Sequence, residues 1–314
     1  HHYSVVFDEQ SPYEKIDDWL ERFGEPFNLA NSYLFEEVMI KAKENGIDVL
    51  FDGVDGDTVV SYGLERIRSL FKLSTIHIFI YEFILLIKNN NFNESSKFNQ
   101  AKLLLKPILK ENKFFSFLFK MLYSVKGQPK NKVRIVKKQY LNKYHFEESY
   151  DVDRNFRSHK EKIKNPLIET AFCNLNILFN KYDVYQFSPF FDLRLVQFCN
   201  SLPSKFKLKN GITRFIQREA FSEMLPIDIY KRSEKANLTI NFLEKITNED
   251  FRMISNEIKN THSYIENEID KTKLIDELNI LSKKTMSDRV AMNIWNYVLV
   301  NRWLHKNFRV PMKK

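Results

Sequence analysis

The stretch from Leu34 to Asp57 constrains the fold more than any other. Leu34, Val38, Met39 and Ala42 recur at helical spacing, Gly46 stops the pattern, and an apolar run from Ile47 to Phe51 follows with one Asp inside it. Apolar residues three and four apart line one face of a helix, whereas a short apolar run bounded by turn residues reads as a buried strand. A helix feeding a buried strand is the unit of a doubly wound parallel sheet. In such sheets ligands sit on the loops beyond the carboxyl ends of the strands. That rule points to the loop Asp52-Gly53-Val54-Asp55-Gly56-Asp57.

The rest of the chain reads as helix. Only 7 Gly and 9 Pro occur in 314 residues, too few for the turns of a sandwich or barrel. From about Leu64 to Tyr144 the pattern is helical and basic, with breaks at Asn89 to Asn93 and Gly127 to Lys132. Further helices are expected over Leu167 to Tyr182, Arg194 to Leu202 and Ile212 to Met224. A last one, roughly Ser287 to Leu304, aligns Met292, Trp295, Val298, Leu299 and Trp303 on one face. The fold expected is therefore a helix-rich α/β one, a partial doubly wound parallel sheet with an extensive helical layer.

Net charge is +9, but it is not spread evenly. Between Lys97 and Lys143, thirteen Lys or Arg face one acidic residue, Glu111, so the remainder of the chain is slightly acidic. Clustered Lys can neutralise phosphates without reading sequence, which makes a basic helical nucleic-acid-binding protein the alternative reading. The composition of that stretch follows the Lys/Asn/Phe bias of the whole chain and contains no known binding module, so nucleic acid is disfavoured as a partner. The most apolar run, Leu73 to Ile87, contains His77 and Glu82 and falls short of the ~20 residues a spanning helix needs, so it reads as a core helix and no membrane is expected. Two widely separated cysteines, Cys173 and Cys199, provide no disulfide framework and suggest a cytoplasmic setting. The opening at His1-His2 rather than Met suggests further sequence upstream.

Three segments carry chemistry. Aspartates interleaved with glycines after a strand suit a Mg-phosphate site: Gly lets the backbone approach phosphates, and carboxylates supply hard oxygen ligands. An acidic surface turn is the competing reading. A helix-loop-helix calcium loop is excluded, since starting at Asp55 puts Val60 where Gly is needed and Arg66 where Glu is needed. The basic segment Tyr230 to Ala236 could place a cation near a reacting centre, or form an ordinary basic turn. In the aromatic turn Phe187 to Arg194, Asp192 stands where it would cap the following helix. No Walker A, GxSxG, HExxH or complete GxGxxG motif occurs.

In this order, the segments resemble the synthetase domain of the asparagine synthetase family, closest in look to its asparagine synthase-related and lasso-peptide cyclase branch. Residues 52–57 resemble the family's SGxGxDE loop, and Gln186 to Asp192 its RxPFxD turn. Asn210 to Ala220 resembles NGxTRxxxRxA, and Leu225-Pro226 with Arg232 to Lys235 resembles LPxxxxxRxxKA. Ser11-Pro12 and Glu25-Pro26-Phe27 fit the family's opening SP…EPF stretch. The resemblance covers residues 1–314 as one domain, with 64–144 as a variable basic helical region, and implies an adenine nucleotide α-hydrolase-like sheet. It implies ATP and Mg²⁺ as cofactors and adenylation of a small-molecule or peptide carboxylate. Ammonia or an amine then attacks, the ammonia coming from a glutaminase domain in the two-domain enzymes. Asp52, Gly53 and Asp55 would lie at the nucleotide, Asp57 would hold the metal and act in catalysis, and Lys235 would stabilise charge during acyl transfer.

Departures from the pattern limit the expected activity. The family's SGGxDS pyrophosphate loop occurs nowhere in the chain. Val54 and Thr58 stand in place of acidic residues, and Gln186 in place of Arg. The chain is thus expected to be a fragment or an inactive paralogue that does not synthesise amides by itself.

Overall fold

The computed structural model describes residues 1–5, 11–27, 30–89, 97–111, 135–137, 139–140, 159–232, 239–282 and 288–308. Among them the chain is helix-rich with a small parallel sheet, an α/β arrangement. Strand β1 (Val49–Phe51) pairs in parallel with β2 (Tyr185–Phe187), in the register Val49 to Tyr185, Leu50 to Gln186 and Phe51 to Phe187. A second pair, β3 (Leu208–Lys209) and β4 (Ile212–Thr213), is an antiparallel hairpin. Two parallel strands among the described residues are too few to establish a doubly wound order.

The helix leading to β1 runs Ser32–Glu44 and ends at Asn45, with Gly46 at φ 67 as the stop that the sequence predicts. The strand itself departs from expectation. Val49 is 43% exposed and Phe51 70%, so β1 is not buried. Side chains alternate across a strand: Leu50 packs on the main core, while Val49 and Phe51, with Tyr185 and Phe187, form an uncovered apolar face.

One large core gathers Trp19, Tyr33, Met39, Leu178, Phe179, Phe242, Ile254, Trp295 and Val298. It joins the helices Ile16–Phe23, Ser32–Glu44 and Pro166–Asn180 to Thr239–Asn248, Phe251–Lys259, Lys271–Ser282 and Asp288–Asn307. The expected stripe on the last helix is present, with Trp295, Val298 and Leu299 buried and Met292 and Trp303 packed on the edge. Glu36 ties these helices together. It accepts from Arg22 at 2.7 Å, Tyr182 Oη at 2.6 Å and Trp19 Nε1 at 3.3 Å. Burial alone would raise its pKa, but these donors outweigh burial and hold it below the usual carboxylate range.

A smaller core joins Leu64, Ile67, Phe79, Leu86, Leu104, Ile108 and Leu208. It joins Leu64–Leu70, Ile76–Asn89 and Lys97–Glu111, helices of the variable basic region, to Leu208 of β3. The apolar run around Ile76–Asn89 is only half a core helix: Phe79 and Leu86 are buried, whereas Ile80, Tyr81 and Ile84 are exposed. No single helix among the described residues is long and apolar enough to cross a membrane. Most of the basic stretch, including Gly127 to Lys132, lies outside the described residues, as do residues 90–93 of the Asn89 to Asn93 break.

The helix expected over Ile212 to Met224 is shorter. Asn210 and Gly211, both at positive φ, form the two-residue turn that favours a hairpin over a helix start. The helix proper is Phe215–Ala220, entered through Arg214 at φ 53. Buried Glu82 fixes this hairpin from the smaller core, accepting from Gly211 N at 2.8 Å and pairing with Arg66 at 3.3 Å.

Candidate functional site

The Asp/Gly loop leaves β1 and enters the helix Gly56–Val60. Asp52 N donates to Phe187 O at 3.0 Å, so the sheet itself anchors the loop. The Asp52 carboxylate accepts from Val54 N at 3.0 Å and from the Gln186 amide. Gln186 thus fulfils a structural role where the family pattern has Arg. Asp55, at φ 54, accepts from Thr58 Oγ1 at 3.1 Å. Asp57 accepts from Tyr62 Oη at 2.7 Å and is ion-paired with Arg214, whose guanidinium lies 4.0 Å from the Tyr62 ring centroid. Burial, then the hydrogen bond to Asp57, pushes the Tyr62 phenol above its ordinary range.

Asp55, Asp57, Thr58, Tyr62 and Arg214 line a cavity of about 460 Å³ that also includes Gly53, Gly56, Lys162, Phe190 and Gln217. The two glycines differ in cause. A Cβ at Gly56 would meet the Phe190 ring at 3.0–3.1 Å, so any larger residue there would have to push the ring back by a few tenths of an ångström. At Gly53 a Cβ would meet nothing within 4 Å, and its φ is not among the positive values. The fold does not demand glycine at Gly53, and the space beside it stays open to a ligand.

Beneath the cavity lies a buried polar cluster. Ser61 is fully buried at φ 66, a conformation costing about 1–2 kcal/mol for a residue with a Cβ. Its Oγ donates to Glu65 at 3.0 Å and accepts from Lys162 Nζ at 3.2 Å. Lys162 Nζ reaches Glu65 Oε2 at 3.0 Å, and Lys207 Nζ lies 4.0 Å from Glu65 Oε1. Burial holds Lys207 below the ordinary lysine range, and it lowers the neighbouring His159 as well.

The structure brings Asp52, Gly53, Asp55 and Asp57 together on one loop. Lys235 lies outside the described residues, although Arg218 grips the chain just ahead of it by donating to the carbonyl oxygens of Tyr230 and Arg232. Asp192 caps the helix Leu193–Ser201 as expected, accepting from Arg194 N at 2.9 Å. Lys162 and Tyr62 carried no signal in the sequence: Lys162 sits among Lys160 and Lys164 in an ordinary basic run. Arg214 was visible only as one letter of a motif.

Among the described residues, no group of three or more His, Cys, Asp and Glu could hold a metal by protein ligands alone. Mg²⁺ with phosphates needs only one or two carboxylates, because it keeps several waters. Asp55 and Asp57 with the open space at Gly53 meet that lesser requirement. A second cavity of about 820 Å³ includes Glu257, Arg302 and Lys306, but these charges answer one another: Arg302 pairs with Glu257 and Asp17, Lys306 with Glu21.

Comparison with known proteins matches residues 186–305 to the family model described as asparagine synthase. Comparison with curated proteins and with solved structures gives no match. The match contains Phe190, Arg214 and Gln217 from the cavity, while the loop 52–57 contributes to the same cavity from outside it. Over residues 186–305, the chain is thus similar to the asparagine synthase family, one of ATP-dependent amide ligases.

Proposed function

We propose that the cavity on the Asp/Gly loop is the nucleotide end of an asparagine-synthetase-type amide ligase site. A single observation carries the reading: a loop outside the family match and three residues inside it converge on one cavity. Gly53 leaves room for the nucleotide, Asp52 fixes the loop to β2, and Asp55 and Asp57 suit Mg²⁺, Asp57 as the metal-side residue. Lys235 is the proposed charge stabiliser in acyl transfer. Bound ATP would supply the adenylyl group that activates a carboxylate, with Mg²⁺ balancing its phosphates. The chain's own residues position and neutralise: Arg214 and Tyr62 hold Asp57, and Phe190 packs on Gly56. A carboxylate, small or peptidic, and ammonia or an amine, with a glutaminase domain as the ammonia source, are the proposed substrates. A doubly wound sheet completed by further strands and a cytoplasmic setting for the free Cys173 and Cys199 belong to the same proposal.

The chain by itself is proposed not to turn over, as a fragment or inactive paralogue. No SGGxDS loop occurs in the sequence, and Val54 and Thr58 replace acidic residues. Incubation with ATP, Mg²⁺, aspartate and ammonia should release no pyrophosphate above a buffer blank. Aspartate-dependent release would overturn this part of the reading.

A further inference from the structure

The nucleotide reading gives no role to the lysine that lines the cavity, Lys162. We propose that Lys162 is the oxyanion-binding floor of this cavity, held by Ser61 and Glu65, and that its ligand is a polyphosphate, with Mg-pyrophosphate as the simplest member. The proposal deepens the nucleotide reading and rests on it.

Lys162 lies on the short helix His159–Ile163, which packs against Gly56–Val60 directly below the loop. Its side chain is only 9% exposed, yet it lines the cavity. An ammonium has three N–H donors. Two go to Ser61 Oγ and Glu65 Oε2, and among the described residues the third has no partner.

The local charge count points the same way. Lys162 and Lys207, 9% and 4% exposed, share one carboxylate, Glu65. A buried excess cation is costly, and an anion arriving in the cavity would balance it. The depressed pKa of Lys207 fits that shortage, since Lys162 adds to burial in lowering it. A lysine needed only to neutralise Glu65 would be redundant beside Lys207. Arg214, the other cation lining the cavity among the described residues, is already paired with Asp57.

Phosphate fits better than a bare carboxylate. Asp55 and Asp57 line the same cavity and would repel a free carboxylate, whereas they suit the Mg²⁺ that a polyphosphate brings.

Calorimetric titration with Mg-pyrophosphate and, separately, with aspartate tests the proposal on the full chain and on Lys162→Met. That variant keeps Glu65 paired with Lys207 and should fold. The wild type should bind Mg-pyrophosphate at one site, Lys162→Met at least tenfold more weakly, and aspartate should not compete. A measurement on the wild type alone guards against misfolding of the variant: pyrophosphate should slow acylation of Lys162 by an amine-reactive reagent, but not of exposed Lys160, as read by mass spectrometry. Unchanged binding in Lys162→Met, tighter binding of aspartate, or unprotected Lys162 would overturn the proposal. If MgATP binds while Lys162 makes no difference, this inference alone falls. If Lys162-dependent pyrophosphate binding occurs without ATP binding, the nucleotide reading falls and this inference stands. Absence of both removes both.

Discussion

Substituting Glu65 by Gln should be among the most damaging polar changes available, and the damage should depend on pH. The change leaves Lys162 and Lys207 buried with no carboxylate within reach among the described residues. Coulomb attraction at 3.0 and 4.0 Å, with an effective dielectric of 20, is roughly 4–6 kcal/mol per pair before desolvation is counted. A lysine can escape by shedding its proton, which bounds the loss. Glu65 balances only one of the two cations, so its loss adds one unbalanced lysine. From an ordinary pKa of 10.5, neutralising that one costs at most about 5 kcal/mol at pH 7 and about 2 kcal/mol at pH 9. Breaking a buried pair by removing one partner commonly costs about 3–5 kcal/mol, within that bound. Urea unfolding should therefore show Glu65→Gln destabilised by about 3–5 kcal/mol at pH 7 and by about 2 kcal/mol or less at pH 9. Adding Lys162→Met to Glu65→Gln should restore much of the loss. A penalty below about 1 kcal/mol that is the same at both pH values would refute the buried-charge reasoning.

Gly211→Ala should cost at least about 2 kcal/mol in thermal unfolding, because φ is 70 and the new Cβ would lie 2.3 Å from the Leu85 backbone carbon. On the alkaline side, burial raises Tyr13 and Tyr297 to about 12. Their protons are held more tightly in the folded state, so stability should fall as pH rises from 10 towards 12, with tyrosinate absorbance appearing together with unfolding. On the acid side, burial lowers His159 from 6.5. Its contribution is present above that value and is lost as pH falls through the depressed folded pKa, and His159→Phe should flatten this limb of the stability profile.

Local punctuation was readable from the sequence, and tertiary consequences were not. Gly46 as a helix stop and Asp192 as a cap depend only on neighbours in the chain, and both stand as expected. The helix expected from Ile212 loses its first residues, Ile212 and Thr213, to the hairpin strand, because Asn210-Gly211 is a two-residue turn. The exposure of Val49 and Phe51 was illegible, because an apolar run reveals nothing about which face finds a covering partner. Asp52, Gly53, Asp55 and Asp57 were legible as candidates because they are adjacent on one loop. Lys162 comes to the same cavity from more than a hundred residues away, so nothing in its neighbourhood marks it.

Equilibrium binding of MgATP to the full chain, set beside Gly53→Ala, tests the central claim most directly. The open space at Gly53 predicts one saturable site in the wild type, at least tenfold weaker in Gly53→Ala, with the stability of the variant within about 0.5 kcal/mol of wild type. No saturable binding in the wild type, or equal binding in Gly53→Ala, would contradict a nucleotide site on this loop.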